Sequence, residues 1–182
     1  LQYGAGDLPA LRRSIYVSFL LIGTVTVLLN VAVFLWLDPI LRWLQVPYDV
    51  YPLMRNYLWI IFWGIAFTFL YNFYAALLRA VGDSVTPLWF LAVSVVLNIG
   101  LDLFLILVLD QGIEGAAVAT VIAQGMAASG ILLYTYKTRP ELRLHRKDMR
   151  FDRSSLKEIT SFSTLTCVQQ SVMNFGILMV QG

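Results

Sequence analysis

Apolar positions in this chain fall in long unbroken runs rather than in alternating or heptad patterns. The most informative run is residues 87–109, PLWFLAVSVVLNIGLDLFLILVL. It is long enough to cross a bilayer, which takes about 20 mostly apolar residues. It also carries Ser94, Asn98 and Asp102 at four-residue spacing, which puts them on one face of a helix. Three more runs predict spans at residues 14–37, 57–78 and 116–136, and a further helix begins within 161–182.

Each span has its own stripe. Ser18, Thr26 and Asn30 mark the first, and Gly64, Thr68 and Asn72 the second. The fourth carries a ridge of small residues, Gly115, Ala119, Ala123 and Ala127, that lets another helix approach closely. Thr120 and Gln124 form a polar ridge beside it.

The connections are shorter. Asp7 and Pro9 suit a helix start ahead of Arg12 and Arg13. Asp38 and Pro39 are expected to end the first span. Residues 38–56, with Pro39, Pro47 and Pro52, then predict a short helix at the membrane surface, where Trp36, Trp43, Tyr48 and Tyr51 fit the aromatic belt. RAVGDSVTP, residues 79–87, reads as a turn, and 110–115 as a polar hairpin. Residues 137–160 form a hydrophilic bridge whose last part, from a cap at Asp152 or Ser154, predicts an amphipathic helix. The class is all-α, a polytopic membrane protein.

Composition sharpens this. Of 182 residues 59% are hydrophobic and only 13% charged, about half the charged share of a soluble domain. The net charge of +2 matters less than where the charges lie. The first, third and fifth connections hold Arg12, Arg13, Arg79, Lys137, Arg139, Arg143, Arg146, Lys147, Arg150, Arg153 and Lys157. The second and fourth hold only Arg42 and Arg55. Short basic loops stay inside, so the 137–157 connection is expected to face the cytoplasm beside anionic lipid. No aromatic platform or fold accompanies the basic run, which excludes nucleic acid as a partner. His145 lies within it as a solvated residue. The lone Cys167 excludes an internal disulfide and reads as a packing residue. HExxH, P-loop, GxSxG and Cys/His clusters are absent from the sequence, so it is not read as an enzyme and calls for no cofactor. Beginning at Leu1 and stopping in an apolar run at Gly182, the chain reads as an internal piece of a longer protein.

Asp102 is the residue that needs a reason. A carboxylate in a span costs at least about 2.5–3.5 kcal/mol on insertion scales. One account is structural: it snorkels to the interface or pairs with a basic group. The other is a site for a cation or proton. Asn98, one turn away, offers an amide oxygen, and Thr120 on the next helix a hydroxyl; a hard cation takes such oxygens. Thr68 and Asn72 divide in the same way between interhelical glue and the lining of a cavity.

Several motifs occur in order: QYGAGD with Arg12-Arg13, YNFYAALLRAVGDSVTP (residues 71–87), LNIGLD (97–102), GIEGAAVATVIAQ (112–124) and CVQQSVMNFGILMVQG (167–182). Together they resemble the multidrug and toxic compound extrusion (MATE) family. The resemblance implies twelve helices in two six-helix bundles and export of organic cations and other drugs in exchange for sodium ions or protons. It implies that residues 1–136 hold the third to sixth helices, 137–160 a cytoplasmic bridge, and 161–182 the start of the seventh. Asn98, Asp102 and Thr120 match three places of a cation site whose fourth member, an Asp on the first helix, lies outside the chain. Asn72 matches a cavity position, and Thr68 and Gln124 are grouped with it. SFSTLTCVQQ departs from the Gly-x-Pro usual at the seventh helix. Two competing readings are a related lipid-linked oligosaccharide flippase, disfavoured because the spans hold no interior Arg or Lys, and a structural membrane subunit that transports nothing.

Overall fold

The computed structural model describes residues 8–143 and 153–181. It contains five α-helices: α1 (Leu8–Trp43), α2 (Tyr51–Ala80), α3 (Val85–Leu103, continued by a π turn at Phe104–Val108), α4 (Gly112–Thr138) and α5 (Arg153–Gln181). No strand occurs among the described residues, so the chain is all-α. Helices suit lipid because each satisfies its own backbone polar groups. Four of them, α1 to α4, are long and apolar enough to cross a membrane. α5 is not among these. Among the described residues, 22–142 form one compact unit, and 8–21 with 143 and 153–181 another.

Helix boundaries depart from the sequence expectation in two places. Asp38 and Pro39 do not end α1, which runs on to Trp43 with Pro39 inside it. The expected surface helix at 38–56 is instead divided between the end of α1 and the start of α2, where Pro52 takes a first-turn position. The Asp38 carboxylate is used across this corner, accepting from Tyr51 Oη at 2.9 Å and Arg55 Nε at 2.8 Å. The amphipathic helix and the span start expected at 152–160 and 161–182 are likewise one continuous helix, α5. The proposed caps Asp7 and Asp152, the solvated His145 and the basic residues Arg146, Lys147 and Arg150 lie outside the described residues.

Within residues 22–142, α4 is the hub, packed against both α2 and α3. A third of its span is buried (33%), against 6% for α3. The small ridge does this: Gly115, Ala119, Ala123 and Ala127 are all buried. Toward one end, Ala75 and Leu78 of α2 meet Ile131 of α4, ringed by Tyr71, Tyr74, Phe90 and Tyr134. Tyr71 Oη donates to the Pro87 carbonyl at 2.7 Å, tying α2 to α3.

RAVGDSVTP is a double cap. Gly82, at φ 89°, takes the left-handed conformation that closes α2. Gly82 N–H bonds the Arg79 carbonyl at 3.1 Å and Asp83 N–H the Leu78 carbonyl at 2.9 Å, the paired bonds of a glycine-ended helix. Asp83 then turns its carboxylate on α3, accepting from Thr86 N–H at 3.0 Å and Thr86 Oγ1 at 2.8 Å. Arg139, just past α4, stands 3.6 Å from the same carboxylate. The Thr86 N–H, then the Thr86 hydroxyl and Arg139, hold the Asp83 carboxyl below its ordinary value of 3.8, against the opposing effect of burial. A depressed carboxylate stabilises the fold above the unfolded-state value, and the contribution is lost as pH falls through the folded one. The stability advantage of wild type over Asp83→Asn is therefore expected to be constant near neutrality and to shrink only below about pH 4. Thermal unfolding of both proteins across that range checks it; an advantage that does not change in acid would exclude the charged cap.

Candidate functional site

The polar face of α3 is turned toward α4. Ser94 Oγ donates to the Ala123 carbonyl at 3.1 Å, and one turn on Asn98 Nδ2 donates to Thr120 Oγ1 at 3.3 Å. Thr120 Oγ1 donates its own hydrogen bond to the Ala116 carbonyl at 2.9 Å. Its oxygen therefore faces α3 as an acceptor. Small residues make the contact possible, since buried Ala119 and Ala123 flank Thr120 and Gln124 on α4. With its amide nitrogen engaged, Asn98 retains Oδ1 as an acceptor.

Asp102 lies one further turn along. Its Oδ1 is buried and has no hydrogen-bond partner among the described residues. An unpaired buried polar atom normally costs stability, and most such atoms find a partner. No guanidinium or ammonium of the described residues pairs with it either. What the site offers is a carboxylate, an amide oxygen and a hydroxyl oxygen, hard donors suited to a small cation. No cluster of three or more His, Cys, Asp or Glu side chains occurs among the described residues.

The three residues grouped as cavity lining make a second polar seam, between α2 and α4. Thr68 Oγ1 lies 3.0 Å from Gln124 Oε1 and 3.2 Å from the Gly64 carbonyl. Asn72 Nδ2 donates to the Thr68 carbonyl at 2.9 Å, and its side chain is exposed. Thr68 and Gln124 thus join two helices, while Asn72, among the described residues, bonds within its own. Gly64 allows the seam: a Cβ there would stand 2.9 Å from Gln124 Oε1 and 3.1 Å from Val121 Cγ2.

Sequence reading missed several polar contacts. Asn56 Nδ2 donates to Glu114 Oε1 at 2.9 Å, closing α2 against α4. Asn30 Nδ2 donates to the Phe62 carbonyl at 2.8 Å. Beside it Phe34, Trp59 and Trp63 meet at centroid distances of 5.6–5.9 Å. Only the polarity of Asn30, Asn56 and Glu114 hinted at these pairs. The π turn after Asp102 left no trace in apolar periodicity.

Four helices that meet the requirements of a bilayer, with polar seams between them, define a multi-pass membrane protein. A model of the MatE family matches residues 1–104, and the chain belongs to that family. It is 40% identical over 136 residues to the probable multidrug resistance protein YpnP of Bacillus subtilis, covering 75% of this chain and 31% of that protein. It is 34% identical over 156 residues to the probable multidrug resistance protein YoeA of the same organism, covering 84% and 32%. The probable multidrug resistance protein NorM of Thermotoga maritima is 34% identical over 110 residues, covering 58% and 24%. The chain thus spans about a third or less of the length of these relatives. A solved structure, described as an inward-facing conformation of a multidrug resistance MATE family transporter of the MOP superfamily, shares the fold. Its TM-score is 0.80 at 23% identity over 87% of this chain and 36% of that one.

Proposed function

We propose that this chain is part of a sodium- or proton-coupled antiporter that exports drugs or other organic compounds by alternating access. The observation that carries the reading is the buried Oδ1 of Asp102, unpartnered among the described residues and one helical turn from the Asn98–Thr120 pair. A carboxylate kept in a span without a fixed partner is suited to bind and release a small cation. Asp102 supplies the charge, Asn98 Oδ1 and Thr120 Oγ1 neutral oxygens. Asn72, with Thr68 and Gln124, belongs to the surface offered to the organic substrate.

One ion is energetically sufficient. A positive charge moving inward down 100 mV supplies about 2.3 kcal/mol, roughly fifty-fold in concentration of a neutral substrate; for a cation exported one for one the charges cancel and the ion's own concentration gradient drives export. Coupling further requires that the ion favour one of two arrangements of the protein, since equal affinity shifts nothing. The protein sits in the cell membrane with the 137–157 connection in the cytoplasm, a placement supported by the concentration of Lys and Arg there.

The test is transport by the whole protein in vesicles, following a cationic dye under an imposed sodium or pH gradient. Export driven by either gradient supports the reading, and export indifferent to both overturns it. Thr120→Ala then separates the ions. It removes a ligand that sodium needs and a proton does not, so sodium-driven export is expected to fall more than proton-driven export. Equal losses would count against direct coordination by Thr120.

A further inference from the structure

The second and fourth connections hold only two basic residues, Arg42 and Arg55. Arg55 has a partner, since its Nε donates to Asp38 Oδ1 at 2.8 Å. Arg42 forms no ion pair among the described residues. The Asp38 carboxylate feels its charge but takes its hydrogen bonds from Tyr51 and Arg55.

A cation in the last turn of a helix often serves the terminal carbonyls. Here the backbone has already taken them. Leu44 N–H bonds the Ile40 carbonyl at 2.9 Å, Gln45 N–H the Arg42 carbonyl at 3.0 Å, and Val46 N–H the Leu41 carbonyl at 3.3 Å. This is the paired closure usual at a glycine-ended helix. The residue in the left-handed position is nevertheless Gln45, at φ 53°. Glycine would adopt that conformation freely, whereas a β-carbon there crowds the following carbonyl. The glutamine side chain is exposed, so core packing does not account for it. Strain of this kind collects at ligand sites.

The two side chains share one space. Arg42 and Gln45 line a cavity of about 780 Å³ whose other walls are Val46, Pro47, Tyr48, Tyr51 and Pro52. The carboxylates of this corner, Asp38 and Asp49, are not in the wall, so its one charged group is positive. A guanidinium and an amide offer donors to an anion, while the rings and prolines offer apolar surface. Phosphate suits a guanidinium through paired, charge-assisted hydrogen bonds. The corner joins two spans, at the level where lipid headgroups lie. Trp43, 83% exposed, and Leu44, 58% exposed, add apolar surface next to Gln45 in the chain.

We propose that the corner between α1 and α2 binds one anionic phospholipid. Arg42 pairs with the phosphate, Gln45 donates its amide to the headgroup, and the glycerol and upper acyl chains lie against the rings and prolines. The ligand, rather than the fold, then accounts for a glutamine in a glycine position. The site is independent of Asp102 and of the coupling ion.

The test uses the whole protein in phosphatidylcholine–detergent micelles titrated with phosphatidylglycerol. Bound lipid is counted by native mass spectrometry, and thermal unfolding is followed in parallel. Inorganic phosphate replaces the lipid in a second arm. Selective uptake of phosphatidylglycerol with a rise in unfolding temperature is expected. Arg42→Gln should weaken it at least tenfold, as loss of a charge-assisted bond does. Gln45→Gly should weaken it about fivefold, yet without the lipid it should unfold at no lower temperature than wild type, because glycine relieves the backbone. A merely structural Gln45 would change stability and leave lipid affinity alone. No selective uptake, as when the rest of the protein covers Arg42, overturns the proposal, and so does wild-type uptake by both variants. Stabilisation by inorganic phosphate equal to that by the lipid would assign the cavity to a free anion and overturn the lipid. Should Arg42→Gln fail to fold, Gln45→Gly decides, wild-type affinity overturning the proposal.

Discussion

Asp102→Asn is expected to abolish ion-coupled export while leaving the protein folded. Asparagine keeps the shape of the side chain and removes its charge. A cation entering the site would then meet only neutral oxygens, and a proton would find no carboxylate to bind. For a neutral substrate the gradient that a 100 mV potential can sustain should fall from roughly fifty-fold toward none; for a cationic dye exchanged one for one the charges cancel, and the export lost is that driven by the imposed ion gradient. Stability should move in the opposite direction from function. Because Oδ1 is buried and unbonded, removing the charge relieves a burial cost and breaks no described contact, so thermal unfolding is expected at the same temperature or higher. Wild-type export by the variant would end the site assignment. Loss of folded protein would instead favour a structural pairing of Asp102 with a part of the whole protein beyond this chain.

Gly64→Leu is expected to cause the largest loss of stability. In lipid, helices associate through close packing rather than expulsion of water, and at this glycine α4 leaves no room for a side chain. Even a first side-chain atom would stand 2.9 Å from Gln124 Oε1 and 3.1 Å from Val121 Cγ2. Leucine adds three carbons beyond that, which forces the helices apart and breaks the Thr68–Gln124 contact at 3.0 Å. Overpacking of this kind costs about 1–3 kcal/mol, so the variant should unfold at lower temperature in detergent or fail to accumulate. Gly23→Ala is the control, because a Cβ there would lie 3.5 Å from the Phe69 ring, an ordinary contact. A Gly64→Leu protein as stable as wild type would show that the seam is not tightly packed.

The four spans were legible because a bilayer imposes a local rule. A segment must be apolar, about 20 residues long and self-satisfied in its hydrogen bonds, and each condition can be read from neighbouring residues. The small ridge on α4 was legible for a similar reason: four-residue spacing places Gly115, Ala119, Ala123 and Ala127 on one face before any partner is known. Spacing also put Asn98 and Asp102 together on α3 and suggested Thr120 across from them. Proline misled at one point. Pro39 read as a stop, yet α1 continues to Trp43, with Asp38 held by Tyr51 and Arg55 from α2. Those partners are 13 and 17 residues away in the chain, beyond the reach of a local rule.

Length, polarity and helical spacing along the chain were thus enough to establish a membrane class, its spans and the face of α3 that carries Asp102. They made α3 look like the centre of the molecule. Packing moved the centre to α4, which touches both α2 and α3, because the thinnest helix face, not the most polar one, admits two neighbours. Packing also put Thr68 against Gln124 as a seam, left Asp102 Oδ1 without a bond, and bent the backbone into a π turn beside it. Each of these depends on which atoms meet across helices, and that is settled by the volume available between them rather than by order along the chain.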